Sequence, residues 1–223
     1  RPLPMGNLTI SQAFIFSILL GLLGLFLLNF ISPQGSFFGI LSKSSFFGLL
    51  SIMLYVLAYT PLKRISTTSV FVGAIPGAIP FLLGWVAATD DFELFGGTLF
   101  AIQFFWQFPH FIAIAWVLDK EYKKAGFKML FGGEKGRYPA ALSILSSLIT
   151  IIISIVPFFW NYTILSLSVY AFVLISALGI WFTLKSVKLY KNGNDLNAKK
   201  LMIASILYLP LLQIIYIADK FMR

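Results

Sequence analysis

Apolar residues run through the chain in seven long blocks, roughly 9–30, 37–59, 69–88, 95–118, 140–159, 162–184 and 200–218, and polar residues gather in the gaps. Each block approaches the ~20 residues a helix needs to cross a hydrocarbon core, and each is far too long for a strand. Backbone groups in lipid must be satisfied within their own segment, so the pattern predicts helices. The gaps carry turn chemistry: Ser32-Pro33-Gln34-Gly35, then Thr60-Pro61, then Asp90, Asp91 and Glu93 with Gly96-Gly97, and later Asn192-Gly193-Asn194-Asp195. The expected fold class is all-α, a polytopic transmembrane helix bundle of about seven spans, with residues 1–223 forming one domain.

Composition narrows the class. Of 223 residues, 59% are hydrophobic and 11% charged, against about 25% charged in soluble domains; a soluble globule, a disordered chain and a collagen-like fibre are excluded. The absence of cysteine removes disulfides, thiolate nucleophiles, iron–sulfur clusters and Cys-type zinc sites, and a single histidine removes a multi-His metal centre. The net charge of +9 could point to nucleic acid. With seven alternating crossings, however, fourteen of the 17 basic residues fall on the side that holds Arg1, and only Lys43, Lys220 and Arg223 on the other. The positive-inside rule makes the Arg1 side cytoplasmic. The basic excess is therefore topological, and no basic face is left over for nucleic acid. The chain opens at Arg1 and its first methionine is Met5; the terminus is either processed or enters a larger protein partway.

Few residues could carry chemistry. Lys63-Arg64, in Tyr59-Thr60-Pro61-Leu62-Lys63-Arg64, could grip an anionic head, with Arg able to bond two phosphate oxygens at once, or simply anchor the helix end. The long basic loop carries Asp119, Glu121, Lys123, Lys124 and Lys128. Carboxylates holding Mg2+ through a substrate diphosphate would suit this place, but Asp119 and Glu121 point about 200° apart on a regular helix; a solvated loop is the plainer reading. His110 lies inside the fourth span, three residues after Gln107 and next to Pro109, which removes a helix hydrogen bond. That spacing is expected to put Gln107 and His110 on one face. An ionisable group in a membrane helix suggests haem ligation, substrate hydrogen bonding or proton transfer; the alternative is a neutral His bonded to a carbonyl freed by the kink. Gly73 and Gly77 form a small-xxx-small pair suited to close helix approach.

Four motifs occur in order: Tyr59-Thr60-Pro61-Leu62-Lys63-Arg64; Gly77-Ala78-Ile79-Pro80 with Gly84-Trp85; Trp106-Gln107-Phe108-Pro109-His110-Phe111; and Glu121-Tyr122 with Ala125-Gly126-Phe127-Lys128-Met129-Leu130. Together they closely resemble the haem O synthase (protohaem IX farnesyltransferase) family of the UbiA-type intramembrane prenyltransferase superfamily. The resemblance implies nine spans around a cavity open to the cytoplasm, with two carboxylate-rich segments holding Mg2+ and an isoprenoid diphosphate. Farnesyl diphosphate is the implied donor and a vinyl group of haem B the acceptor. Loss of diphosphate leaves an allylic cation, the vinyl carbon attacks it, and water completes a hydroxyethylfarnesyl group. By the same resemblance Arg1, Lys63 and Arg64 contact the diphosphate and Lys128 reaches it. Glu121 is the preferred metal carboxylate, Asp119 a weaker one, Tyr59 and Gln107 contact substrate, and His110 serves the haem side. A bacterial inner membrane is the implied location, and haem A synthase or oxidase assembly machinery the implied protein partner.

The sequence departs from that pattern twice. Phe131-Gly132-Gly133-Glu134-Lys135-Gly136-Arg137-Tyr138-Pro139-Ala140 replaces the usual glycine-rich basic stretch. The first Asn/Asp-rich metal segment, which precedes the position of Arg1 in the family, is not in the sequence. Seven spans in place of nine agree with a C-terminal part of a longer enzyme, and this polypeptide alone is expected not to turn over. Rival readings are a sister prenyltransferase acting on a quinone precursor, a seven-helix transporter or channel, and a non-catalytic assembly module.

Overall fold

The computed structural model describes residues 3, 5–31, 36–37, 39, 41–160 and 166–222. The first helix, α1 (Ile10–Ile31), opens on a reciprocal capping box: Thr9 N–H donates to Gln12 Oε1 at 3.0 Å, and Gln12 N–H to Thr9 Oγ1 at 3.2 Å. A two-residue antiparallel pairing, β1 (Ser36–Phe37) with β2 (Leu41–Ser42), leads into α2 (Lys43–Met53), whose N-cap Ser42 accepts from Ser45 N–H. A π-helical turn (Leu54–Tyr59) and α3 (Thr60–Ile65) continue the same span. Then follow α4 (Ser69–Thr89), α5 (Leu94–Val117), the short α6 (Asp119–Lys124), α7 (Arg137–Phe159), α8 (Val169–Asn192) and α9 (Asp195–Phe221). Among the described residues seven spans are long and apolar enough to cross a membrane, as the hydrophobic pattern predicts.

Three boundaries move, each for a local reason. The second span runs Lys43–Ile65 rather than 37–59, because Thr60-Pro61 does not break it. The wide turn before Pro61 absorbs the missing donor: Thr60 returns both its N–H and its Oγ1 to the Tyr55 carbonyl, the hydroxyl at 2.8 Å. The sixth span is Val169–Asn192 rather than 162–184. Ser168 caps its start and Gly193, at φ 57°, takes the left-handed conformation that ends it. The seventh starts early, at Asp195, because Asn194 accepts from Asn197 N–H at 2.9 Å.

Helix α5 is the hub. It packs on α4, α7 and α9, and α8 closes a four-helix ring with α7 and α9. From this ring α4 leads outward to α2, and α2 to α1, which buries no residue. Lipid tails are as apolar as Leu, so close packing rather than hydrophobic transfer holds such a ring. Trp106, Phe108, Ile112 and Trp116 of α5 meet Ile175, Phe182 and Tyr208 in its centre. Gly179 seats Ile151, whose Cγ1 would lie 2.3 Å from an added Cβ. Ser143, Ser146, Ser147, Thr150 and Ser154 form a buried stripe down α7. Each hydroxyl returns to a carbonyl three or four residues earlier, so the stripe is polar in composition yet internally satisfied.

The two ends differ in charge. One carries Lys63, Arg64, α6 and its following loop, and the lysines of α8 and early α9. At the other, Lys43 Nζ donates to the Asp90 carbonyl and lies 4.0 Å from the Asp91 carboxylate. There too Asp219, buried near the end of α9, accepts from Ser168 N–H at 3.0 Å and from its hydroxyl, fixing the start of α8.

Candidate active site

Two prolines shape α4. Pro80 brings no N–H to the carbonyl of Pro76, and Ser51 of α2 donates to that carbonyl instead, at 3.2 Å. The link holds α2 beside α4 while leaving a hollow of about 470 Å³ between α2, the π-turn, α4 and α5. Its lining is mostly apolar, including Ile52, Val56, Val70, Pro76 and Phe111, with Tyr55, Tyr59 and Gln107 supplying polar tips.

Gly73 and Gly77 lie where α4 packs on the π-turn and on α5, and each seats a side chain from its neighbour. A Cβ on Gly73 would meet the Tyr59 ring at 2.6 Å, and one on Gly77 would meet Gln107 Oε1 at 2.1 Å. The π-turn thus delivers Tyr59 to one notch of α4, and α5 delivers Gln107 to the next.

Lys63 sits above this hollow. Its Nζ lies 4.6 Å from the centre of the Tyr59 ring, 5.8 Å from Tyr55 and 5.6 Å from Phe127. Aromatic faces attract a cation and fix its position. The loop after α6 completes the mouth. Gly126 turns at φ 72°, Phe127 N–H returns to the Tyr122 carbonyl at 2.8 Å, and Lys128 N–H donates to the Lys63 carbonyl at 2.7 Å. Phe127 also lies under Arg64, 6.0 Å from Cζ. A smaller hollow of about 190 Å³, lined by Asp119, Tyr122, Phe127 and Lys128, adjoins the larger one across Met129, which lines both. Burial pushes the Tyr122 phenol above its ordinary pKa, so it stays a neutral donor.

The sequence-derived candidates therefore divide. Tyr59 and Gln107 line the large hollow, Lys63 overlies it, and Lys128 and Asp119 line the small one. Arg64 is exposed on the rim. Glu121 is exposed on α6, while Asp119 pairs with Lys123 at 3.0 Å. Among the described residues no group of three or more His, Cys, Asp or Glu gathers.

His110 lies elsewhere. It stacks on Trp106 at 4.9 Å, and its Nδ1 is 2.8 Å from Ser205 Oγ of α9. Ser205 Oγ donates to the Met202 carbonyl, so it accepts from His110, and the proton sits on Nδ1. Gln107 instead donates to Ala74 of α4. The expected common face is thus not found: residues three apart differ by about 60° around the axis, enough at a hub helix to reach different neighbours. Arg1 lies outside the described residues. Sequence reading passed over Tyr55 and Phe127; the signal for Tyr55 was its place four residues before Tyr59, one turn earlier on the way to Lys63.

These features define a polytopic membrane protein with a hydrocarbon-sized hollow beneath a cationic mouth. The chain belongs to the UbiA prenyltransferase family, whose sequence profile matches residues 1–208. Relatives named protoheme IX farnesyltransferase are 46% identical in Flavobacterium psychrophilum and 47% identical in Christiangramia forsetii; each match covers 100% of this chain and 71% of the relative. A Neurospora crassa relative, named as the mitochondrial protoheme IX farnesyltransferase, is 34% identical over 99% of this chain and 44% of its own length. A solved structure described as digeranylgeranylglyceryl phosphate synthase superposes with a TM-score of 0.78 at 19% identity, covering 100% of this chain and 74% of that one, which establishes the shared fold.

Proposed function

We propose that this chain carries out farnesyl transfer from farnesyl diphosphate to a vinyl group of haem B. The observation that supports this most is the placement of the Lys63 ammonium against Tyr55 and Tyr59, two residues of a hollow whose lining is mostly apolar. An isoprenoid diphosphate has the same division, a polyanionic head on a hydrocarbon tail. Lys63, Arg64 and Lys128 would hold the head and stabilise the charge that grows on it as the C–O bond breaks. Ile52, Val56, Val70 and Phe111 would take the tail and keep bulk water from the allylic cation. The faces of Tyr55 and Tyr59, which already attract the Lys63 ammonium, would also attract that cation.

The family resemblance implies Mg2+. Asp119 and Glu121 do not converge on a single point here, since one is paired to Lys123 at 3.0 Å and the other is exposed on α6. His110 contributes to the haem side only where the macrocycle reaches the α5–α9 seam. The basic end faces the cytoplasm of a bacterial inner membrane by its charge excess, where haem A synthase or oxidase assembly machinery would receive the product.

The test is product formation in membranes of a bacterium lacking its own enzyme. The chain is supplied alone, and also joined in one reading frame to the part of the Flavobacterium psychrophilum relative that it does not match. The joined form is expected to make hydroxyethylfarnesyl haem, and the chain alone is expected to be silent. The reading fails if the intact relative makes the product and the joined form does not, or if the joined form prenylates a quinone precursor instead.

A further inference from the structure

The Gln107 amide is fixed in one orientation. Its Nε2 donates to the Ala74 carbonyl and to the Gln103 carbonyl, both at 3.1 Å. Both partners are carbonyl oxygens, so exchanging the amide oxygen and nitrogen would set oxygen against oxygen twice; the network assigns the orientation. Both N–H groups are used. What remains is Oε1, an acceptor without a proton, held against Gly77 and belonging to a residue that lines the hollow.

Among the described residues, the other polar groups of the lining are the hydroxyls of Ser51, Tyr55 and Tyr59; Gln107 Oε1 is the one side-chain acceptor there that carries no proton of its own. The Ser51 hydroxyl donates its proton to the Pro76 carbonyl, and Tyr59 is seated at Gly73, one turn nearer the mouth. Gln107 Oε1 thus lies about 5 Å, one helical turn, below the ring that carries Lys63. A carboxylate or phosphate would be repelled by this oxygen. A donor of small size, with a lone pair to spare, is what it accepts.

We infer that Gln107 is a positioning residue for the water that completes the transfer. This rests on the proposed farnesyl transfer to a vinyl group. In that reaction the C1–O bond breaks and its electron pair leaves with the diphosphate. The vinyl π pair forms the new C–C bond, and positive charge passes to the vinyl carbon next to the macrocycle. Water accepted by Gln107 Oε1 keeps a lone pair directed at that carbon and forms the C–O bond with it. The surplus proton goes to the released diphosphate. Where no water is held, the same cation sheds a proton to the diphosphate and leaves an alkene, lighter than the hydroxylated product by one water.

The experiment uses the joined protein that makes product. Gln107→Met removes the acceptor at similar volume. Gly77→Ala keeps the amide but places a Cβ 2.1 Å from Oε1, driving the oxygen aside. Both are expected to raise the ratio of alkene to hydroxylated product by roughly tenfold, the scale of one lost hydrogen bond, read by mass spectrometry with isotopically labelled water marking the hydroxyl. Gly84→Ala, with nothing within 4 Å of its added Cβ, keeps the original ratio. An unchanged ratio in Gly77→Ala overturns the role, even where Gln107→Met gives no product at all. An equal shift in Gly84→Ala overturns it too. If the unsubstituted protein forms no farnesylated haem, the reading of the site falls first, and the role of Gln107 with it.

Discussion

Replacing Lys63 by Met tests the mouth of the hollow most directly, because it keeps an unbranched side chain of similar length and removes the charge that lies against Tyr55, Tyr59 and Phe127. A hydrogen bond to a charged group contributes about 1.5–3 kcal/mol, which is about 10–150-fold in Kd. Lys63 is half-buried and its mouth is open to water, so screening places the effect at the low end, about tenfold. Tyr59→Leu keeps the ammonium but removes its ring at 4.6 Å. The cation–π contribution is about 0.5–1 kcal/mol, which gives roughly a two- to fivefold loss. The assay is calorimetric titration of farnesyl diphosphate into the protein in lipid nanodiscs at two salt concentrations, with Lys63→Met also expected to flatten the salt dependence. Lys43→Met is the control, because Lys43 bonds Asp90 at the opposite end. Equal affinities for Lys63→Met and the unsubstituted protein, or an equal loss in Lys43→Met, would refute the placement of the diphosphate under Lys63.

Three further outcomes follow from the packing. Asp219→Ala takes away the acceptor that fixes Ser168 and the start of α8; the expected loss is about 2–4 kcal/mol, seen as a lower Tm with ligand affinity unchanged. Gly179→Ala forces a Cβ to 2.3 Å from Ile151 Cγ1 and is expected to cost about 1–3 kcal/mol, with the α7–α8 seam opening first in hydrogen exchange. His110→Ala removes the bond to Ser205 on the far side of α5, so thermal stability drops by about 1 kcal/mol while farnesyl diphosphate binds with unchanged Kd.

The sequence made the spans legible because hydrophobic block length is a strong, local signal. It misplaced ends where local chemistry overrides hydropathy. Thr60-Pro61 reads as a break, yet a π-turn carries the helix through it, and the lysines of α8 stay helical until Gly193. The basic pair Lys63-Arg64 was visible, but its aromatic setting was not: Tyr55 is eight residues away, and Phe127 belongs to a distant loop tied to α3 by the bond from Lys128 N–H to the Lys63 carbonyl. The division between Gln107 and His110 was equally hidden. Helical spacing gives a residue's bearing around its own axis, and only the arrangement of α4 and α9 about α5 decides what stands at each bearing.

The wide turn over Leu54–Tyr59 bears on how this gene can change length. A π-turn contains one residue more than ordinary helical winding would use, and the surplus is taken up locally, so the helix beyond it keeps its phase. Losing a single codon there would let the segment rewind tightly with α3 still in phase, whereas losing one elsewhere in the same span would swing everything after it by about 100°. Tyr59 would then leave its notch at Gly73, and the carbonyl that receives Lys128 would turn away. Tolerance to a lost residue in this span is therefore concentrated in that one stretch.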